Sequence, residues 1–300
     1  MSGFSTVDLS QLPAPTLIET LDYETILQEQ KTELIALDPS MADVLKLESE
    51  PALKILQTTA LREFRVRQRV NEAAKATMLA FALKSDLDQR GANMSVKRLL
   101  ISAGDPDAVP PVDPVYEEDE DYRRRIQLAW EGYTTAGSKG SYTFHALSAH
   151  ADVQDASATR PVAGDVLVAV LSRTGDGTAP QPLLNTVETA LSAETIRPLN
   201  DTVIVQSANI INYSVNATLY FLTGAGRTVA MQQAQASLAK YKAAQHRLGL
   251  DITLSGIYGA LHQPGVQRVE LTSPAADITV DQQSAAYCTG TNLIDGGIDE

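Results

Sequence analysis

The sequence predicts an α+β protein of several domains, with a long helical arm at the N-terminus and two small α/β-type domains with mixed sheets after it. Residues 51–83 repeat apolar side chains at every third or fourth position without glycine or an internal proline, which is typical of one long helix. In residues 211–221, apolar and polar side chains alternate, which indicates a strand with one buried face. Four prolines between Ala103 and Val115 separate these two patterns and indicate a domain boundary.

These signals divide the chain into five parts. We expect a helical arm or core-bundle region at 1–103, a proline-rich linker at 104–115, a first α+β domain at 116–207, a second α+β domain at 208–288 and a flexible tail at 289–300. The arm begins with an extended segment over residues 1–20, and its first helix spans about Asp22 to Leu37. In the first α+β domain, Asp165 to Leu171 is apolar on both faces, so we predict a strand that is covered on both sides. The segment after Thr289 is rich in Gly and Asp, which is typical of a loose terminus.

The long helix of residues 51–83 carries an apolar stripe that one chain has too few helices to cover. We therefore expect helices of other chains to cover it, and we place Leu56, Phe64, Met78 and Phe81 in that assembly interface. An alternative is a bundle within the chain, completed by a short helix near Leu87 to Leu100.

Three arginines, Arg62, Arg65 and Arg69, lie on one side of the same helix. A phosphate or an acidic partner could bind there. A solvated helix face, partly paired with Glu63 and Glu72, is the more common role of such charge clusters.

A charged stretch starts where the helical pattern ends. Five acids, Glu117 to Asp121, precede Tyr122 and three arginines, so that the acids oppose the positive end of a helix and the arginines can pair with them. Gly132 ends this helix, and residues 134–140 form a glycine-rich loop. We predict a structural joint that holds the helical arm to the α/β body, formed by Tyr122, Arg123, Arg125 and Trp130.

The composition excludes several classes of function. The net charge of -13 and the pI of about 4.8 argue against a general nucleic-acid binder, which needs a cationic surface. The single cysteine, Cys288, cannot form an internal disulfide, which fits a reducing compartment. The first 13 residues do not have the pattern of a secretory signal, and the longest uncharged stretch, Thr202 to Gly226, is too rich in Asn and Gln to span a membrane. We expect a soluble cytoplasmic product.

The sequence gives no sign of catalytic, cofactor-binding or metal-binding residues. His145 and His150 are five residues apart, which does not place them on one helical face, and neither belongs to a ligand-spaced cluster. The glycine pairs at 175–177 and 224–227 lack the Lys-Ser/Thr of a phosphate-binding loop, so we interpret them as turns. We expect a protein that is not an enzyme and has no cofactor. The alternative is a soluble enzyme whose site assembles from separated residues such as His145, Asp155 and Arg123.

The order and spacing of several short runs resemble a known family. These runs are Asp86–Asp88, Asp119–Ile126, Glu131–Ser138, Tyr142–Leu147, Val153–Asp155, Gly164–Val166 and Arg197–Asp201. In this respect the chain resembles the baseplate J-like proteins of P2-like contractile phage tails and R-type pyocins, and more distantly the inner baseplate wedge protein of phage T4. The resemblance covers most of the chain, from about Asp22 to Val280.

The resemblance implies a structural role in virion assembly. Family members form the inner baseplate wedge of the tail, in which two copies join a second wedge protein through a bundle of N-terminal helices. Their C-terminal domains link neighbouring wedges into a ring around the central hub, among other baseplate, hub and sheath-initiating proteins. The family has no known catalytic residues. The implied location is the tail baseplate of a phage or phage-like particle that is assembled in the bacterial host cytoplasm, with no nucleic-acid partner and no membrane insertion.

Overall fold

The computed structural model describes residues 7, 9, 12–134, 137–224 and 226–299. The predicted extended arm, the glycine-rich loop and the turn at 224–227 therefore lie partly outside the described residues. The chain forms two compact units, one from Val7 to Lys97 and the other from Arg98 onward. The first unit is helical, and the second contains the sheets, so the α+β class with several domains is confirmed.

The helical unit contains α1 (Tyr23–Leu37), α2 (Met41–Val44), α3 (Pro51–Ala76) and α4 (Lys84–Asn93). The carboxylate of Asp22 caps α1 by accepting a hydrogen bond of 2.9 Å from the backbone N–H of Thr25. Pro51 lies in the first turn of α3, where its missing N–H costs no helical hydrogen bond.

The long helix ends earlier than the sequence pattern predicts. α3 stops at Ala76, because both the backbone N–H and the hydroxyl of Thr77 bond to the carbonyl of Ala74, at 3.1 and 2.7 Å. The prediction that Met78 and Phe81 lie on this helix is therefore wrong, since both lie in the turn that leads to α4 and both are half-buried.

The inner face of α3 packs on α1 of the same chain. Ile26, Leu27 and Ala60 form the buried centre of this contact, and Leu56 and Phe64 pack against it. Leu56 and Phe64 are thus partly covered within the chain by α1, and their place in a seam between chains stays a prediction. The apolar period predicts the buried side of the helix, and α1 itself was predicted, but the packing of α1 on this side was not.

The proline-rich segment is a hairpin rather than an extended linker. Strand β1 (Leu100–Ser102) pairs antiparallel with β2 (Val115–Tyr116), and Asp105 and Val112 exchange two backbone hydrogen bonds of 2.8 and 2.9 Å. The boundary between the compact units consequently precedes this segment, at Lys97 and Arg98.

The first α+β domain contains α5 (Asp119–Gly132), α6 (Lys139–Ala149), β3 (Val153–Thr159), β4 (Asp165–Ser172), α7 (Gln181–Leu191) and β5 (Thr202–Ser207). Its sheet has the strand order β3-β4-β5, with β3 antiparallel and β5 parallel to the central β4. Residues Val168–Leu171 of β4 are fully buried, as expected for a central strand covered on both faces.

The second α+β domain follows after one residue, Ala208. It contains β6 (Asn209–Phe221), α8 (Arg227–Gln245), α9 (Leu254–Leu261), β7 (Val266–Ser273) and β8 (Ser284–Ile298). The sheet order is β7-β6-β8, with β7 antiparallel and β8 parallel to β6. Alternate residues of β6, from Tyr213 to Phe221, are buried, as the sequence pattern predicts.

Residues 277–280 contribute a single bridge, between Ile278 and Ile252. The segment that follows corrects an expectation. The segment 289–298, predicted to be flexible, belongs to β8 and pairs with β6, for example Asn216 with Asn292 and Leu219 with Asp295. The backbone N–H and C=O groups of this segment form hydrogen bonds with β6. The segment is therefore a strand although its sequence does not alternate apolar and polar residues.

Candidate functional site

Tyr122 and Arg125, two of the residues predicted to form the joint, belong to a buried cluster with an ion pair at its centre. The guanidinium of Arg125 donates from Nε and Nη2 to the two carboxylate oxygens of Glu117, at 2.8 and 2.7 Å. Both side chains are almost fully buried. Arg98 Nη1 donates to the carbonyl of Glu117 at 2.6 Å, and the backbone N–H of Leu99 donates to its carboxylate at 3.2 Å. Glu117 therefore attaches the base of the β1–β2 hairpin to α5.

Tyr122 extends this cluster with its aromatic ring. The ring is fully buried, and the guanidinium carbon atoms of Arg98 and Arg125 lie 4.6 and 5.7 Å from its centroid. Such cation–π contacts are strongest when desolvated, as they are here. Arg98 also pairs with Asp119 at 2.7 Å, so the first turn of α5 is held to the chain that precedes it.

The other two predicted joint residues have different surroundings. Arg123 is buried and pairs with the exposed Glu120 at 2.6 Å on the same helix. Trp130 lies in the last turn of α5 with 68% of its surface exposed, and its ring centroid lies 6.0 Å from that of Tyr133. Trp130 therefore lies outside the buried ion cluster.

A second ionic network, which the sequence analysis missed, links the two α+β domains. Asp121 accepts from Arg173 at 2.8 Å and from Arg247 at 2.7 Å. Asp155 in β3 accepts from Arg124 at 2.8 Å and from the backbone N–H of Leu248 at 3.0 Å. The sequence around Asp121 showed only that this residue belongs to an acidic run. Its partners, Arg173 and Arg247, lie too far away in the sequence for a local pattern to indicate the contacts.

The electrostatics of Asp121 follow from these contacts. Burial by itself raises the pKa of this carboxyl group, but the hydrogen bonds and charges of Arg247 and Arg173 outweigh burial and lower the pKa below its ordinary value. Asp121 is therefore held ionised, which is the state that both arginines require.

The residues of the alternative enzyme site are engaged with separate partners. Asp155 is bound by Arg124 and Leu248, and Arg123 pairs with Glu120. His145 contacts the carbonyl of Gly132 through Nε2 at 3.2 Å, and burial lowers its pKa. Within the described ranges, no group of three or more His, Cys, Asp or Glu side chains is arranged to hold a metal ion. None of the described helices is long and apolar enough to cross a membrane.

Exposed apolar side chains follow one flank of α3. Ile55, Val66 and Val70 lie within about 60° of one another around the helix axis and are 59–65% exposed. We call these three residues the outer stripe. Arg62, Arg65 and Arg69 are exposed on the adjoining face, opposite to the buried Ala60, and none of them forms an ion pair with another described residue.

The expected pairing of these arginines with Glu63 and Glu72 is replaced by other contacts. Glu63 pairs with Arg67 at 2.6 Å, and Glu72 accepts a hydrogen bond from Gln68 at 3.0 Å. The exposed side of α3 consequently combines apolar side chains with three exposed positive charges, in a protein with a net charge of -13.

Comparison with known proteins gives a consistent result along the chain. The Baseplate J-like N-terminal domain matches residues 48–105, the Baseplate J-like central domain matches 134–207, and the Baseplate J-like protein C-terminal domain matches 213–294. The three matches occur in the order of the helical unit and the two α+β domains.

A relative and a solved structure were also found. Baseplate protein J of Escherichia phage P2 is 49% identical over 299 residues, which cover 98% of this chain and 99% of the relative. A chain in the cryo-EM structure of the anti-feeding prophage baseplate is 13% identical with a TM-score of 0.39, over 59% of this chain and 44% of that chain, which is too distant to support an argument. The matches of the family models and the identity to the P2 protein show that this chain belongs to the baseplate J-like family.

Proposed function

We propose that this protein is a structural component of a phage tail baseplate, and that it acts as a wedge protein without enzymatic activity. The P2 relative, 49% identical over almost its whole length, is a baseplate protein. The engagement of His145, Asp155 and Arg123 with separate partners supports a structural role over catalysis.

The observation that carries the wedge proposal is the outer stripe of α3. The inner face of α3 is covered by α1, yet Ile55, Val66 and Val70 remain largely exposed on a flank that α1 does not cover. The spacing from Ile55 to Val66 is eleven residues and from Val66 to Val70 is four, so all three lie on one side of the helix. A helix whose apolar side chains extend beyond the face that one neighbour covers is suited to a bundle, where further helices pack on it.

We infer that a second copy of this chain and a second wedge protein supply the missing helices. In this bundle, the outer stripe takes the place of the interface that we first assigned to Leu56, Phe64, Met78 and Phe81. The adjacent Arg62, Arg65 and Arg69 favour a partner with carboxylates beside its apolar seam, because opposite charges on neighbouring helices set the partner choice.

The C-terminal domains provide the second contact in this proposal. Because β6 is the central strand of its sheet, its edges are occupied, and contact with a neighbouring wedge must use the outer strands or the helices. Two different contacts on each chain allow wedges to close into a ring around the hub. The other proposed partners are hub and sheath-initiating proteins. The proposal includes no nucleic-acid partner and no insertion into a membrane. The particle is proposed to assemble in the host cytoplasm.

The wedge proposal is tested by charging the outer stripe. Val66→Asp with Val70→Asp leaves the α1–α3 core untouched, so the variant should fold but fail to join the second wedge protein. The matched control is Val162→Asp with Leu199→Asp, since both residues are also exposed but belong to the first α+β domain. Each variant is co-expressed with the neighbouring tail genes, and the mass of the purified complex is measured. Full wedges that contain the Val66 and Val70 variant would refute the bundle.

A further inference from the structure

The β1–β2 hairpin has an apolar surface that the described part of the chain leaves exposed. Throughout residues 99–116, which we call the hairpin arm, no residue is buried. Leu100, Val109, Val112, Val115 and Tyr116 each have between 47% and 98% of their surface exposed. An isolated two-stranded hairpin is marginally stable in water, and an apolar patch of this kind marks an interaction site.

The base of the hairpin arm is fixed even though its tip is exposed. The Glu117–Arg125 ion pair lies directly after β2, and Arg98, directly before the arm, bonds to the carbonyl of Glu117. Four prolines restrict the backbone between Asp105 and Val115. A preorganised arm loses little conformational entropy when it binds, so more of the free energy from burial of its apolar surface contributes to affinity.

The charges of the hairpin arm determine the chemistry of its partner. The arm contains three carboxylates, Asp105, Asp107 and Asp113, and no Lys, Arg or His. Two such arms would repel each other, and the chain as a whole has a net charge of -13. A surface that covers the arm therefore needs an apolar centre and a rim of basic side chains.

The mode of binding follows from the strands. β1 has three residues and β2 has two, and Pro114 directly precedes β2. Short strands next to proline are poor templates for addition of a further strand. Burial of side chains in a groove fits the arm better than extension of its sheet.

We propose that the hairpin arm inserts into an apolar groove with a basic rim on a different protein of the tail baseplate. This inference rests on the proposed function, because it takes the baseplate as the place of binding. It is independent of the helical bundle, since the arm and α3 belong to separate compact units.

A photo-crosslinking amino acid at position 109 tests which molecule covers the arm. Val109 is 98% exposed, and Leu199, at 95%, is the matched control position. In purified assembled particles, we expect position 109 to crosslink to another baseplate protein, at a segment that is flanked by Lys or Arg. Crosslinks to a second copy or to the same chain would overturn the proposal, as would a yield no higher than at position 199.

Charge reversal tests the basic rim. Asp107→Lys with Asp113→Lys is compared with Glu188→Lys with Glu194→Lys, which changes the net charge equally at exposed positions of the first α+β domain. The hairpin variant should enter particles at least about tenfold less well than the control, because rim charges steer association. Equal entry would overturn the hairpin proposal alone, whereas absence of the unchanged chain from purified particles would overturn the proposed function as well.

Discussion

The carboxylate of Asp155 accepts a hydrogen bond of 3.0 Å from the backbone N–H of Leu248, which lies 93 residues later in the chain. The second oxygen of Asp155 binds Arg124 of α5 at 2.8 Å. One carboxylate thus joins a helix and a strand of the first α+β domain to the segment that follows α8 in the second. Asp121 makes an equivalent link through Arg173 and Arg247, so two acids fix the relative position of the two domains.

Removal of Arg125 should destabilise the α+β unit strongly. Arg125→Ala leaves the carboxylate of Glu117 buried without its partner, and a broken buried ion pair costs about 3–5 kcal/mol. We expect this loss in the free energy of unfolding, measured by urea denaturation. Trp130→Ala is the control and should change that free energy by no more than about 0.5 kcal/mol, as is typical of exposed positions. Equal effects of both substitutions would contradict the assignment of the joint to the buried cluster.

Acid should weaken the link between the α+β domains through Asp121. Its pKa in the folded protein is lowered below the ordinary value of 3.8, so the unfolded chain binds the proton more readily than the folded one. The stabilisation is therefore complete above pH 3.8 and is lost as the pH falls through the lower folded value. Asp121→Asn should be less stable at neutral pH, and the difference from the unchanged protein should shrink below pH 3.8 in thermal melts. A difference that stays constant with pH would contradict this origin.

The sequence revealed the elements whose signals are local. The alternation from Tyr213 to Phe221 identified β6, and the acidic start before Tyr122 and Arg125 identified the helix on which both side chains are buried. Both depend on residues within a few turns or one strand of each other. Tertiary packing then selects which of the periodic side chains are covered.

The features that were missed depend on distant partners. β8 contains Gly290, Gly296 and Gly297 and has no alternating pattern, but β6 supplies the hydrogen bonds that hold it extended. The bond between Arg247 and Asp121 spans 126 residues, so neither residue has a local signal for the other. In the same way, α1 covers Leu56 and Phe64 because of a chain reversal that helical periodicity does not encode.

Limited proteolysis should locate the hairpin arm. The arm has no Lys or Arg, so trypsin should leave residues 99–116 intact, whereas proteinase K should cut near Ala108 at the exposed tip. The stable product should then begin after the tip and retain β8. Mass spectrometry of the product checks both ends. Early cleavage within 150–280, with the tip protected, would contradict this division of the chain.

Truncation of β8 distinguishes a structural strand from a loose tail. A chain that ends at Tyr287 lacks the residues that pair with β6 from Tyr213 to Phe221, including Leu293, which packs against the core of the second α+β domain. The exposed edge of β6 and the lost packing should lower the free energy of unfolding by more than the roughly 0.5 kcal/mol that is typical of surface changes.

A chain that ends at Ile298 keeps the whole strand and serves as the control. Both are compared by thermal melts and by hydrogen exchange of the β6 amides, which β8 protects only while the strands are paired. If the chain that ends at Tyr287 melts and exchanges like the control, residues 288–298 are dispensable and β8 does not stabilise the second domain.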